Sequence, residues 1–412
     1  MQQEGLLKSI FIFCHRNSIT SQWQQSAEIL GLKIRNMEFC GSEKDTDGWI
    51  LTYQFAYRNL QRLKQEIKIF SENDLLSVAD EAHHLGVNPE LSESAVWGKS
   101  FLELTQRSTI RLGLTGTPFR SDNLAFCSAR KVRVQENGEL IEQIYPDLCV
   151  ESRELICAGD VRPLEFHFQD GWVEHSHKGE SGLERSPLSS EQRESWRARN
   201  LRRSIRLSHS KSIAIQILLK ATKKLNEVRR NHKNAAGLVI AKDIEHAKSI
   251  FNMLKEDGQS VELVHSQDKE ASERLIQFKE SNVKWLVSVD MCSEGFDSPR
   301  LRVVIYLTTV VTKSRFIQGI TRAVRMSTTR ACLESIPRDP SHVFAPADPL
   351  LMKHACNWSE AEPYRIKVED CENTIESSSW IPKSPILPME AVNDRAEELI
   401  RLKAAELPQF LK

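Results

Sequence analysis

Two adjacent carboxylates, Asp80 and Glu81, follow an apolar run at 75–79 and precede Ala-His-His. The run has the length and composition of a buried strand, and open α/β sheets place ligands at the carboxyl ends of their strands. Paired acids at such a place can hold Mg²⁺ through water and can orient an attacking water against a phosphate. The alternative is the start of a helix, where the two acids would complement the helix dipole.

A polar turn with the sequence Thr-Gly-Thr-Pro, from Thr115 to Pro118, follows a second apolar run at 109–114. By itself, such a turn is as often structural as functional.

The second half of the chain carries charged residues after apolar runs as well. Gly295 and Asp297 follow one of these runs, and Gln318 precedes Arg322 and Arg325. The two arginines are three residues apart, so they are expected to share one face of a helix. Two guanidinium groups on one face suit a transferring phosphoryl group, although a lone pair of this kind is more often a solvated face.

Short apolar runs alternate with amphipathic stretches along the chain, which predicts parallel sheets covered by helices and an α/β fold class. The predicted strands are 10–14, 49–53, 75–79, 109–114, 164–168, 236–240, 261–264, 285–289 and 303–307.

The composition excludes several classes of protein. The chain has 412 residues and equal numbers of basic and acidic side chains, 56 of each, so it is not a globally basic nucleic-acid binder. We expect no membrane span and no signal peptide, because no apolar run approaches the roughly 18–20 residues that a membrane helix needs. Nine cysteines without a Cys-x-x-Cys pair favour free thiols and a cytoplasmic location.

A local basic stretch lies between Arg193 and Lys211, with seven basic residues and with Trp196 as a possible stacking ring. This stretch is interpreted either as a phosphate-binding patch or as the solvated face of a helix.

In order and spacing, these segments resemble the motifs of the superfamily 2 helicases and translocases, the DEAD/DEAH-box family, and within it the DEAH-like group with Thr-Gly-Thr-Pro-Phe-Arg. The resemblance covers residues 9–345. It implies two RecA-like lobes, each with a parallel sheet, that use ATP and Mg²⁺ to act on a nucleic acid, with DNA favoured over RNA.

The resemblance also implies a role for each motif residue. Asp80 would position Mg²⁺ through water, Glu81 would activate water, and Arg322 and Arg325 would reach the γ-phosphate. The other implied roles are contacts with the nucleotide by His83, Gly295, Asp297 and Gln318, coupling of ATP to motion by Thr115 and Thr117, and contacts with the nucleic-acid strand by His15, Arg16, Tyr53 and Gln54.

One expected motif is missing from its place. The family carries a Gly-x-x-x-x-Gly-Lys-Ser/Thr loop before the strand at 10–14, where backbone N–H groups and the lysine cradle the phosphates. Only Met1 to Ser9 stand there, and the Gly-Lys-Ser at 98–100 follows the paired acids and has Glu93 in place of the first glycine. We therefore expect an incomplete first lobe with an unpaired strand edge.

The missing loop leaves two interpretations open. A partner or an upstream segment supplies it, and the whole is then an ATP-dependent helicase or translocase, although this chain alone is inactive. Alternatively, the chain is a catalytically inactive nucleic-acid-binding remnant or a truncated gene product.

The expected domains are a partial first lobe at 1–155, a linker with the basic stretch at 156–205, a second lobe at 206–345 and a tail at 346–412. The tail is expected to be partly helical, with one late helix at 389–405.

Overall fold

The computed structural model describes most of the chain up to residue 358 and two short segments after it. The described ranges are 7–40, 46–70, 74–86, 93–116, 126–136, 139–150, 152–176, 183–207, 212–268, 270–289, 296–327, 331–358, 365–367 and 402–404. They divide into two compact units, of which the first comprises the described residues up to 149 with 365–367 and the second those from 150 to 358 with 402–404.

The first unit is built on a five-stranded sheet in which every pairing is parallel. Its strands are β1 (Ser9–Cys14), β2 (Ile34–Asn36), β3 (Gly48–Thr52), β4 (Leu75–Asp80) and β5 (Ile110–Leu114). Their order across the sheet is β2-β3-β1-β4-β5. The helices of this unit are α1 (Asn17–Ile29), α2 (Met37–Cys40), α3 (Tyr53–Arg58), α4 (Leu60–Phe70) and α5 (Glu93–Leu104), with a 3₁₀ turn at Ala82–His84.

The central strand β1 shows why this sheet is covered on both faces. Side chains alternate along a strand, and Phe11 and Phe13 belong to the apolar cluster that contains Phe101. Ile12 and Cys14 belong to a second cluster on the opposite face. A small antiparallel sheet of β6 (Lys131–Glu136), β7 (Glu139–Ile144) and β16 (Arg365–Lys367) completes this unit.

The outer edge of β5 is open. Within the described ranges β5 pairs with β4 alone, and Leu112 in its middle is 43% exposed. Arg111 and Gly113 beside it are also exposed. An edge with unpaired N–H and C=O groups and an exposed leucine can pair with another strand, and the sequence predicts an unpaired strand edge in this lobe without saying which strand carries it.

The second unit is built on a six-stranded sheet, again with parallel pairings throughout. Its strands are β8 (Leu164–Gln169), β11 (Ala236–Ala241), β12 (Val261–Val264), β13 (Trp285–Val289), β14 (Leu301–Leu307) and β15 (Ser341–Pro346), in the order β12-β13-β11-β14-β15-β8. All seven residues of β14 are buried, as expected for a strand in the middle of a sheet with helices on both faces.

Helices surround this second sheet. They are α6 (Ser152–Ala158), α7 (Glu194–Ser204), α8 (Ile213–Asn231), α9 (Ile244–Glu256), α10 (Ala271–Glu280), α11 (Lys313–Ile320) and α12 (Pro349–Cys356), with 3₁₀ turns at Leu188–Ser190 and Thr321–Ala323. An antiparallel sheet has the order β10-β9-β17, with β9 (Gly171–Ser176), β10 (Leu183–Pro187) and β17 (Leu402–Ala404). None of the helices in the described ranges combines the length and the apolar character that crossing a membrane requires.

The predicted linker at 156–205 is wrong in part. Its strand β8 pairs with β15 as the edge strand of the second sheet, because the alternating residues Leu164, Phe166 and Phe168 pack against the core of that unit. Its helix α7 also belongs to the second unit.

The predicted tail differs from the structure too. Helix α12 packs in the second unit, and the three described residues at 402–404 form β17 instead of part of a helix. The rest of the predicted helix at 389–405 lies outside the described residues.

Candidate active site

The carboxylate of Asp80 is held at the end of β4 by two donors. Trp23 Nε1 donates to Asp80 Oδ2 at 2.8 Å, and the backbone N–H of Glu81 donates to Oδ1 at 3.0 Å. The hydroxyl of Tyr53 donates to the backbone carbonyl of Asp80 at 2.6 Å. Each carboxylate oxygen keeps acceptor capacity, so the position of this acid is fixed while it can still bind a further donor.

Glu81 adopts a left-handed backbone conformation, with φ 51° and ψ 51°. It is the only residue other than glycine with a positive φ in the described part of the chain. Such a conformation costs about 1–2 kcal/mol for a residue with a Cβ. It turns the chain sharply after β4, and the side chain of Glu81 remains partly exposed.

His83 connects the acids to the neighbouring strand. Its Nδ1 lies 3.4 Å from Glu81 Oε2 and 3.1 Å from Thr115 Oγ1. Thr115 directly follows β5, whose last residue Leu114 is in register with Asp80. The structure therefore brings Asp80, Glu81, His83 and Thr115 together, as the sequence predicts, while Thr117 lies outside the described residues.

The Gly-Lys-Ser tripeptide at 98–100 cannot cradle phosphates. It lies inside α5, where backbone N–H groups donate within the helix. Ser100 Oγ donates to the carbonyl of Val96 at 2.8 Å, and a Cβ at Gly98 would lie 2.9 Å from the carbonyl oxygens of Leu85 and Gly86. The tripeptide at 98–100 therefore does not fit the phosphates of a nucleoside triphosphate. The carboxylates of Asp80 and Glu81, in contrast, fit a magnesium ion bound through water.

Three of the four predicted nucleic-acid contacts line one open pocket of about 400 Å³. His15 and Arg16 directly follow β1, and Gln54 lies at the start of α3 after β3. Arg58 lines the same pocket and was not predicted, because no motif in the sequence marks it. The ring of His15 also stacks on His84 at 4.0 Å, which links the pocket to the paired acids.

The prediction that Tyr53 contacts a nucleic-acid strand is wrong. Its side chain is 1% exposed, and its hydroxyl is engaged by the Asp80 carbonyl. Burial, followed by the charge of Asp80, raises the pKa of Tyr53 well above its usual value of 10, so it remains a protonated donor. Tyr53 and Trp23 thus support Asp80, a role that sequence spacing alone does not reveal.

In the second unit the two predicted arginines do not share a helical face. Helix α11 ends at Ile320, and Arg322 lies in the 3₁₀ turn that follows. Thr321 Oγ1 donates back to the carbonyl of Ile317 at 2.8 Å, a local bond that competes with continuation of the helix. Arg322 is 5% exposed and donates from Nη1 to the carbonyl of Phe296 at 3.1 Å.

Arg325 lies beyond that turn and is solvent accessible. Its Nη1 lies 3.1 Å from Asp297 Oδ1, and both side chains are about two-fifths exposed. The structure therefore pairs two predicted site residues, Arg325 and Asp297. Gln318 is buried in α11, and Gly295 lies outside the described residues.

The basic stretch is in part structural. Arg197 Nη1 lies 2.9 Å from Asp348 Oδ2, and the two side chains are 9% and 0% exposed. Arg193 pairs with Glu191 at 2.9 Å and stacks over the ring of Trp196 at 4.2 Å. The interpretation of the whole stretch as a phosphate-binding patch is therefore wrong for Arg197.

Two family models match the chain and together cover more than half of it. The model of the type III restriction enzyme res subunit matches residues 1–120, and the model of the helicase conserved C-terminal domain matches residues 216–327.

Relatives match over most of this chain. An uncharacterized protein of Mycobacterium leprae is 30% identical over 357 residues, which are 84% of this chain and 54% of the relative. An uncharacterized protein of Mycobacterium tuberculosis is 29% identical over 347 residues, 81% of this chain and 52% of the relative. A protein of a Sulfolobus islandicus filamentous virus, named as a candidate helicase, is 27% identical over 67% of this chain and 44% of its own length. The chain thus spans about half the length of these mycobacterial relatives.

The fold is shared with a solved structure. A fragment of a candidate HsdR subunit of a type I restriction enzyme from Vibrio vulnificus matches with a TM-score of 0.51 at 15% identity, over 86% of this chain and 56% of that one. The chain has two parallel sheets covered by helices, paired acids at the end of β4, and matches to two family models. On these grounds, the chain belongs to the superfamily 2 helicase family.

Proposed function

We propose that this chain supplies both lobes of an ATP-dependent nucleic-acid translocase or helicase, and that an upstream segment or a partner supplies the phosphate-binding loop. The observation that carries the proposal is the grouping of Asp80, Glu81, His83 and Thr115 at the carboxyl ends of β4 and β5. The Glu81 N–H donates to Asp80, and His83 Nδ1 lies close to both Glu81 and Thr115. The left-handed backbone at Glu81 supports it, because strained conformations concentrate at active sites.

In this proposal each acid has its own role. Asp80, held by Trp23 and by the Glu81 N–H, would bind Mg²⁺ through water, and this ion would neutralise charge on the phosphates. Glu81 would accept a proton from the attacking water. His83 would connect Glu81 to Thr115, because its Nδ1 is close to both side chains.

Arg325 is proposed as the cation that stabilises the leaving phosphate. It is accessible and paired with Asp297, so it can exchange a carboxylate for a phosphate without breaking buried structure. Arg322, which is buried and donates to Phe296, would position this segment instead of contacting the phosphate.

The open edge of β5 is proposed as the place where the missing element binds. A parallel strand added there would pair with the exposed backbone around Leu112 and cover its side chain. Parallel strands end at the same edge of a sheet. The loop after the added strand would therefore emerge beside Thr115 and Asp80, which is where a nucleotide phosphate must lie.

The pocket of His15, Arg16, Gln54 and Arg58 is proposed to contact the nucleic-acid strand. Its two arginines offer donors for phosphate oxygens. The match of residues 1–120 to a restriction-enzyme subunit supports DNA over RNA. A cytoplasmic location is likewise a proposal, supported by the irregular spacing of nine cysteines.

The test compares the chain alone with an extended protein, made by joining the chain to the translated segment encoded directly upstream of Met1. DNA-stimulated ATP hydrolysis by the extended protein, and none by the chain alone, is the expected result. DNA binding without ATP hydrolysis in both proteins would instead support the second interpretation, an inactive nucleic-acid-binding remnant. The observation that favours this alternative is that the Gly-Lys-Ser tripeptide lies inside a helix.

The DNA contact is tested on the chain itself. Replacing Arg16 and Arg58 by Ala should lower DNA affinity and flatten its salt dependence, since each lost phosphate contact changes the slope by about 0.7–0.9. Arg62→Ala is the matched control, because Arg62 lies on the neighbouring helix α4 and pairs with Glu66. Equal affinity and slope in the double variant and the control would remove the pocket from the proposal.

A further inference from the structure

Strands β8 and β15, neighbours at one edge of the second sheet, bring three potential metal ligands to one place. Glu165 is in register with His342, and His167 is in register with Phe344. Alternate residues of a strand share a face, so Glu165 and His167 lie on one face of β8, next to His342 on β15. The ring of His167 stacks on Phe344 at 4.5 Å between centroids, which limits its rotation.

The donor atoms of these side chains are close together. His167 Nε2 lies 3.2 Å from His342 Nδ1 and 3.5 Å from Glu165 Oε1. His342 Nδ1 lies 3.3 Å from Glu165 Oε2. Ligands about 2.0–2.1 Å from a tetrahedral zinc ion are about 3.3–3.4 Å apart. The two imidazole nitrogens have a separation of this size, and each has one oxygen of Glu165 at a similar distance.

We propose that Glu165, His167 and His342 form a zinc site with its fourth position open to solvent. Two imidazole nitrogens and one carboxylate are a ligand set that suits zinc and not magnesium or calcium. His342 is buried, His167 is partly exposed and Glu165 is about half exposed. The open position therefore lies on the side of Glu165, where water can complete the tetrahedron.

Burial is the main cause that lowers the pKa of His342 to about 4, and it also lowers the pKa of His167.

Positively charged side chains near the two histidines oppose the binding of a cation at this site. Lys220 and Lys224 on α8 act on His167, and Lys224 and Arg302 act on His342. Lys224 is partly compensated by Glu227, whose Oε2 lies 3.1 Å from its Nζ. We therefore expect zinc to bind at one ion per chain, with lower affinity than at a structural site built from cysteine thiolates.

Bound zinc would join the edge strand β8 to β15. It would stabilise the second unit by binding to its folded form alone, and this consequence does not depend on the proposed helicase function.

The test titrates zinc into the full chain after removal of metals with a chelator, and it measures stoichiometry, affinity and melting temperature. Cobalt is the spectroscopic probe, because a tetrahedral site with nitrogen and oxygen ligands gives intense visible absorption. We expect one ion per chain, a melting temperature that rises with zinc, and a loss of affinity of about tenfold or more in Glu165→Gln and in His167→Gln. Both residues are at least partly exposed on the edge strand, so these variants are expected to fold.

His232→Gln is the matched control in the same unit. His232 also has two carboxylate partners, but Asp339 faces its Nε2 and Glu334 faces its Nδ1. These groups lie on opposite sides of the ring and cannot converge on one ion, so the control should bind zinc like the parent. Absence of binding in the parent, or equal affinity in the parent and in both ligand variants, would overturn the proposal.

Discussion

Removing Arg197 should unfold the second unit far more easily than removing its exposed neighbour Arg199. The guanidinium of Arg197 lies 2.9 Å from the fully buried carboxylate of Asp348. The same carboxylate caps α12 by accepting from the backbone N–H groups of Leu350 at 2.9 Å and Leu351 at 3.4 Å. In Arg197→Ala the carboxylate keeps these two bonds but loses its only ion-pair partner in the described part of the chain.

The magnitude follows from the distance and the burial. At 2.9 Å and an effective dielectric constant of about 20, the gross attraction is about 6 kcal/mol. Part of it offsets the desolvation of both groups, and removing one partner of a buried pair costs about 3–5 kcal/mol in free energy of unfolding. The two remaining backbone bonds place the expected loss near 3 kcal/mol, a large fraction of the roughly 5–15 kcal/mol that a domain has.

The assay is urea unfolding followed by far-ultraviolet circular dichroism, with Arg199→Ala as the control on the same helix. Arg199 is exposed, so its replacement should change the free energy of unfolding by less than about 0.5 kcal/mol. If Arg197→Ala is as stable as Arg199→Ala, the buried pair does not stabilise the fold. Arg197 would then be available for phosphate again, and the structural assignment of the basic stretch would be refuted.

Three further predictions concern Tyr53, the reactivity of two cysteines and the accessible Arg325. Tyr53→Phe should destabilise the chain by about 1–3 kcal/mol in urea unfolding, because it removes the buried hydroxyl that donates to the part-buried carbonyl of Asp80; a weaker DNA affinity at full stability would restore Tyr53 as a strand contact. At pH 8 iodoacetamide should modify the exposed Cys157 and leave Cys14 unmodified, as read by peptide mass spectrometry, because burial raises the pKa of Cys14 to about 12. In the extended protein, Arg325→Ala should lower turnover much more than ATP affinity, since its charge acts most strongly as the phosphate leaves; unchanged turnover would remove Arg325 from the mechanism.

The strands were the best predicted part of the fold, for a physical reason. Runs such as 10–14 and 303–307 are buried on both faces, so they are apolar throughout and differ clearly from their surroundings. The strand at 164–168 was predicted as a strand, but its place at the edge of the second sheet was not. Pairing with β15 is a contact between segments about 175 residues apart, which local patterns do not contain.

The roles of the site residues stay predictions, but the proximity of four of them follows from the local sequence. Asp80, Glu81, His83 and Thr115 come together because two adjacent parallel strands end at the same edge. The orientation of the other site residues depends on packing between segments that are distant in the sequence. Tyr53 is turned inward to the Asp80 carbonyl by the fold of α3.

Arg322 shows the same limit at a helix end. The spacing of the arginines assumes a continuous helix, but the hydroxyl of Thr321 bonds back to Ile317 and the chain leaves the helix there.

In the proposed function, Glu81 acts as the base in a site completed by a phosphate-binding strand at the edge of β5. The most direct measurement is DNA-stimulated ATP turnover and ATP affinity in the extended protein, compared with its Glu81→Gln variant. A positioned general base contributes roughly 10²–10⁴ in rate. We expect a fall in turnover of that size with ATP affinity nearly unchanged, because the amide keeps the shape of the side chain and loses only its basicity. Turnover in Glu81→Gln equal to that of the parent would show that Glu81 is not the base, whatever the structure of the added strand.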